Sequence, residues 1–180
     1  MLYYRNGLGW QVLKPGTNGE VLSLASGLPD WITSPVMGAY KDADEENATT
    51  TLNGDDELTV NLAASSKYQF EAKLFFLNDG AAEGYKVSIN GTVGVADVKA
   101  QVSIYDDTLN TLVAFARIAA LGGAGVGAGL SSGSNFARVE GAIETTTAGT
   151  FLIEFAQNAA GAAAGVHHEV GCSLKVIEVE

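Results

Sequence analysis

The chain has 180 residues, a net charge of −11, 47% apolar and 17% charged side chains, enough to bury one ordinary core with an appendage. Only 10 basic residues face 21 acidic ones, which excludes nucleic acid and anionic membrane surfaces, because both bind through Lys and Arg. The single cysteine excludes an internal disulfide, and no run reaches the ~18 apolar residues that span a bilayer.

The N-terminus has one arginine and no continuous apolar stretch. It does not read as a signal peptide, so synthesis in the cytoplasm is expected. Many alanines and 22 glycines favour short strands and frequent turns over long helices.

Residues 1–40 hold all three prolines and both tryptophans. Gln11 to Leu13 and Glu20 to Leu22 flank Pro15-Gly16 and Asn18-Gly19. Both are turn dipeptides, so a small hairpin is predicted with its turn over 14–19. A second turn at Gly27 to Asp30 brings Trp31 back. About 40 residues cannot bury enough surface to fold alone, so this arm must pack against something. Its candidate docking residues are Trp10, Val12, Leu13, Val21, Leu22, Pro29 and Trp31.

Residues 41–57 are polar and read as a linker and a turn. The carboxylates of Asp42 to Glu46 and Asp55 to Glu57 lack the ligand ladder of a calcium loop, so solvated turns are expected and no metal.

Leu58, Val60 and Leu62 alternate with polar residues, the mark of a half-buried strand. Tyr68, Phe70, Ala72, Leu74 and Phe76 form the longest alternation. Their opposite face begins polar and ends with Phe75 and Leu77, which suggests a face that enters a contact. Strands are also predicted at 85–90, 99–105 and 112–118.

The Gly-rich run 122–133 has no lysine for a Walker loop and begins no helix, so a flexible loop is expected and no cofactor. Phe136 to Thr145 alternates with Ala137, Val139 and Ile143 on its apolar face. Phe151, Ile153 and Phe155 alternate next, and the run 170–179 follows. These two are predicted to be the last long strands of one antiparallel sheet. Cys172 reads as a small core residue. His167 and His168 have no Asn or Asp framework nearby, so no catalytic cysteine is expected.

About eight strands at this spacing predict an all-β, antiparallel two-sheet sandwich. The Phe155-Ala156-Gln157-Asn158 run, the Ala/Gly-rich turn after it and Gly171 to Ile177 resemble the jelly-roll domains of tailed-phage virion proteins. Those domains are similar to the trimeric heads of the C1q and tumour-necrosis-factor class. The match extends back to about Thr49. Thr17 to Leu22 followed by Pro29-Asp30-Trp31 resembles a Gly-x-x-Gly-x-Val-Leu and Pro-x-Trp segment of phage tail-fibre and virion proteins. There it serves as a stalk or attachment arm.

The resemblance implies a short β-hairpin arm (1–40), a linker (41–57) and a jelly-roll sandwich (58–180). It implies a homotrimer with Phe75 and Leu77 at the subunit interface. A compact arm and knob suit a capsid decoration (cement) or head-fibre protein, bound at the capsid surface to the major capsid protein or another virion protein. The alternative is a tail-fibre or adaptor tip that recognises a host surface glycan. Aromatic residues in an exposed loop would mark it, and the Gly-rich loop has none. An enzyme is not expected, because a glycan depolymerase needs paired carboxylates across a cleft and the acidic residues here fall in turns.

Overall fold

The computed structural model describes residues 2–80, 83–161 and 165–179. Among them, every helix or strand assigned is a β-strand. The chain divides into two compact units, Met1–Pro35 and Val36–Glu180.

The first unit holds two hairpins. Strands β1 (Leu2–Asn6) and β2 (Gly9–Leu13) pair around the Asn6 to Gly9 turn, and β3 (Glu20–Ala25) pairs with β4 (Leu28–Thr33) around Ser26-Gly27. This corrects the predicted single hairpin. Gln11 lies opposite Tyr4, and Leu22 opposite Trp31, so the Pro15 to Asn18 segment links two hairpins rather than closing one. The Trp31 indole N–H donates to the Lys14 carbonyl at 2.7 Å. A Cβ at Gly16 would fall against the Trp31 ring, so glycine there lets the linker lie on the indole.

The second unit begins with β5 (Val36–Tyr40), β6 (Glu45–Asn47) and β7 (Asn53–Leu62). Next come β8 (Lys67–Asn78), β9 (Tyr85–Gly91), β10 (Gly94–Asp106) and β11 (Thr111–Ile118). The unit ends with β12 (Val126–Ala128), β13 (Gly133–Thr147), β14 (Gly149–Ala156), β15 (Val166–His168) and β16 (Ser173–Val179). Three boundaries differ from expectation. Val36–Tyr40 pairs with β16 and belongs to the sandwich, not to the arm. Residues 41–57, expected as a linker, contain β6 and the start of β7. Val126–Ala128, inside the expected flexible loop, pairs with β9.

Four antiparallel pairs nest inside one another: β9 with β12, β8 with β13, β7 with β14, and β5 with β16. A long hairpin rolled into two sheets gives this nesting. The unit is a jelly roll. Between β9 and β12 the hairpin β10–β11 is inserted, and it widens one sheet beyond β13. The result is an eight-stranded sheet and a four-stranded sheet, the latter ordered β12-β9-β14-β7. The last two long strands therefore lie in different sheets: β14 is central in the small one, and β16 pairs with β8 in the large one. Alternation identified both strands but carries no record of which sheet each joins.

The core is the space between the sheets. Tyr68, Phe70, Ala72, Leu74 and Phe76 of β8 face it, as do Phe151, Ile153 and Phe155 of β14. Phe70 and Phe151 meet across it with ring centroids 4.9 Å apart, and Phe76 stacks on Tyr85 at 3.8 Å. Gly91, at φ +156°, ends β9 where a Cβ would strike the Thr150 carbonyl; glycine there lets β9 and β14 stay paired through the turn.

Candidate functional site

Strand register places three rows of side chains across the outer face of the large sheet. The first is aromatic: Phe75 of β8 lies opposite Phe136 of β13, which lies opposite Tyr105 of β10, which lies opposite Leu112 of β11. Phe75 and Phe136 have centroids 5.4 Å apart, Phe136 and Tyr105 5.9 Å. Tyr40 extends the row, since its hydroxyl and the Phe75 ring flank Gly171. The second row runs Ser173, Lys73, Arg138, Ser103, Phe115. The third runs Lys175, Glu71, Glu140, Gln101, Arg117.

Arg138 ties these rows together. Its Nε bonds Glu71 at 2.9 Å and its Nη2 bonds Glu140 at 2.8 Å. Two shallow cavities meet there. One, of about 490 Å³, includes Gln69, Glu71, Arg138, Glu140 and Lys175 in its lining. The other, of about 560 Å³, is lined by Glu71, Lys73, Tyr105, Phe136 and Arg138.

A second constellation lies inside the sandwich. Opposite Ile153 the register of β7 slips, and residues 55–58 bulge between Gly54 and Thr59. The bulge turns Asp55 into the interior, a common use of such irregularities. One Asp55 oxygen accepts from the Leu58 and Glu57 N–H groups at 2.9 and 3.0 Å and from Lys41 Nζ at 3.1 Å. The other accepts from His168 Nδ1 at 2.7 Å. A carboxylate only accepts, so Nδ1 carries the proton and Nε2 accepts from the Tyr85 hydroxyl at 2.7 Å. Lys41 also bonds Glu45 at 2.8 Å and pairs with Glu57 at 3.4 Å.

Burial acts to raise the Asp55 pKa, but the His168 hydrogen bond and charge and the backbone N–H groups outweigh it and hold it at about 2. Burial pushes His168 below its usual value despite Asp55, and pushes Tyr85 well above its own. Lys41 is raised, because its bonds to Glu45 and Asp55 overcome the burial that would lower it.

This arrangement corrects two expectations. Asp55 is not in a solvated turn, and His168 does have an acidic partner, 113 residues away. The order acid, imidazole, hydroxyl is that of a nucleophile relay. Here Lys41, Asp55, Tyr85 and His168 are each at most 1% exposed. Phe155 stacks on the His168 ring at 3.8 Å and Phe76 covers Tyr85. No substrate reaches the set, so it acts on stability. Cys172 is likewise sealed: its thiol donates to the Phe75 carbonyl at 3.1 Å, and burial pushes it up to about 12.

The arm residues are distributed unevenly. Trp10 is 71% exposed, Val12, Val21 and Leu22 are exposed, and Leu13, Pro29 and Trp31 are half-buried. Phe75 is exposed, while Leu77 is half-buried opposite Ser134 and His167. Tyr40, Tyr105 and Phe136 were not foreseen beside Phe75. The alternation put Phe136 and Arg138 on one strand face, but only register shows which strands lie next to it.

No family model matches the sequence, and no curated protein is similar to it. Among solved structures, infectious bursal disease virus Gx strain aligns over 99% of this chain and 42% of that one, at 15% identity and a TM-score of 0.43. The Gt strain of that virus aligns over 98% of this chain and 48% of that one, at 10% identity and a TM-score of 0.21. The chain therefore spans less than half the length of these proteins. At such similarity the nested strand pairs, not the likeness, define the fold.

Proposed function

We propose that this protein is a structural component of a tailed-phage virion, a homotrimeric capsid decoration or head-fibre protein. It docks on the major capsid protein or another virion protein through its N-terminal hairpins. The observation that carries this is the apolar surface of the first unit. Ten large apolar side chains, from Leu2 to Ile32, are exposed there, whereas the buried apolar side chains among the described residues begin only at Leu58. A small unit with an exposed apolar surface and no core has the physical character of a docking element. The resemblance of Thr17 to Leu22 and Pro29 to Trp31 to phage attachment arms favours a phage particle.

Cutting at Pro35 is expected to leave a folded, β-rich protein that no longer attaches to particles. The cut must spare β5, which covers the edge of β16. Trp10→Ala should show the same defect more weakly, because burying one large aromatic is worth roughly 2–3 kcal/mol by area. Trp31 is a poorer probe, since it also holds the linker at Lys14. Particles still decorated at full occupancy by the truncated protein would move the attachment to the sandwich.

The trimer is supported by the resemblance to the trimeric C1q and tumour-necrosis-factor heads and by exposed Phe75, with exposed Tyr40 beside it across Gly171. Sedimentation should give about three times the 18.6 kDa chain mass, and Phe75→Asp should lower it. A monomer at micromolar concentration sinks this part of the reading.

A further inference from the structure

The outer face of the large sheet differs in charge from the rest of the chain. Six of the ten basic residues stand at its outward positions: Lys67, Lys73, Lys99, Arg117, Arg138 and Lys175. Against Glu46, Glu71, Asp97, Glu140 and Glu144 they leave this face at six minus five, or +1, on a chain of −11. Lys73, Arg117 and Lys175 are exposed and have no ion pair among the described residues. Arg138 is held from two sides by Glu71 and Glu140, which fixes its guanidinium and leaves several of its five N–H donors for something else.

We infer that this face binds an acidic oligosaccharide. The sugar rings stack on Tyr105 and Phe136, and their carboxylate or phosphate groups meet Lys73 and Arg138, with Lys175 and Arg117 at the two ends of the groove. Each feature matches one property of that ligand. A pyranose has an apolar C–H face, and half-exposed aromatic rings provide its platform. Its charged group is recognised by a guanidinium better than by a mobile ammonium alone. The aromatic row and the Lys73–Arg138 row are two residues apart along each strand, roughly 7 Å. That spacing lets one ring span from platform to cation. Five adjacent strands give a groove roughly 19 Å long, room for several linked sugars. The two cavities joined at Glu71 and Arg138 have the size of ligand sites.

A second protein chain is the competing occupant. Protein interfaces are depleted of charge at their centre, and the centre of this face is Glu71–Arg138–Glu140. The aromatic row lies to one side of it. A host-glycan site in this protein thus belongs on a sheet face rather than in the Gly-rich loop.

The test uses the full chain, titrated by calorimetry at low salt with tetragalacturonate, with the methyl ester of the same tetramer, and with inorganic phosphate. Saturable binding of the tetramer, weakened about tenfold or more in Arg138→Ala and in Tyr105→Ala and by added salt, supports the site. Sedimentation of both variants should match the parent, which separates this site from the subunit contact at Phe75. Three results would overturn it. One is no saturable binding of the acidic tetramer at millimolar concentration. Another is equal binding of the ester, or of phosphate without gain from the sugar rings. The last is a change of oligomeric mass in Arg138→Ala, which gives the face to a second copy.

Discussion

Asp55→Ala is expected to destabilise the protein by about 3–5 kcal/mol, the range for removing one partner of a buried ion pair. In a chain of this size that is a fall in Tm of roughly 10 °C. Asp55 receives four hydrogen bonds, from Lys41, Glu57, Leu58 and His168. Alanine would leave the two N–H groups, the His168 ring proton and part of the Lys41 charge without an acceptor inside the sandwich. It also unhooks the β7 bulge from β15. Asp55→Asn keeps the shape but loses the charge, so it should fall between the parent and alanine. Lys41→Met combined with Asp55→Asn should cost less than the sum of the two, because the interaction is shared. Urea denaturation of the parent, the three single variants and the double variant measures this. A loss below 1 kcal/mol for Asp55→Ala would mean that water or repacking satisfies the site.

The second large effect is the pH dependence of stability, set by the buried groups Asp55, His168, Lys41, Tyr85 and Cys172. Asp55 is ordinarily half-protonated near pH 3.8 and in the fold only at about 2. Its folded pKa is depressed, so its stabilisation is present above about pH 4 and is lost as pH falls toward 2. By linkage this is roughly 2 kcal/mol. His168 is also depressed by burial. Below its ordinary value of about 6.5 the unfolded chain takes up a proton that the folded chain refuses, so stability falls as pH drops through that point. At alkaline pH the signs reverse. Lys41 is raised by its partners, so its contribution is present below about pH 10 and is lost as pH climbs through the folded value. Tyr85, raised by burial, keeps its proton in the fold while the unfolded chain releases one, which again favours unfolding. Cys172, pushed up to about 12 by burial, likewise keeps its proton in the fold while the unfolded chain releases one near pH 9, so stability should be flat between about pH 7 and 9 and fall on both sides. His168→Asn should be less stable at pH 7 but should flatten the curve between pH 7 and 5. An unchanged slope there would assign it to other groups.

Several features were legible in the residues themselves. The alternation of Tyr68 to Phe76 and of Phe151 to Phe155 set which side chains face the core, because strand geometry sends neighbours to opposite sides. The same rule put Phe75, Phe136 and Arg138 on outer faces. Low helix content followed from glycine and alternation.

What the chain order could not reveal depends on contacts between distant residues. The inward turn of Asp55 needs a bulge whose only sign is a slip against β14. The burial of Lys41 needs carboxylates brought in by β6 and β7 and a histidine 127 residues away, placed by β15. A Lys among acidic residues reads as solvated until the fold removes the water, since local sequence carries charge but not dielectric. The two hairpins of the first unit were misread for a related reason. Gln11 to Leu13 had two possible partners, and turn dipeptides do not choose between them. The binding face is the clearest case. Lys73, Tyr105, Phe136 and Arg138 come from three strands, and each looks ordinary in its own. Only the register of β8, β13 and β10 assembles them, because hydrogen-bonded pairing, not spacing along the chain, decides which outward side chains become neighbours.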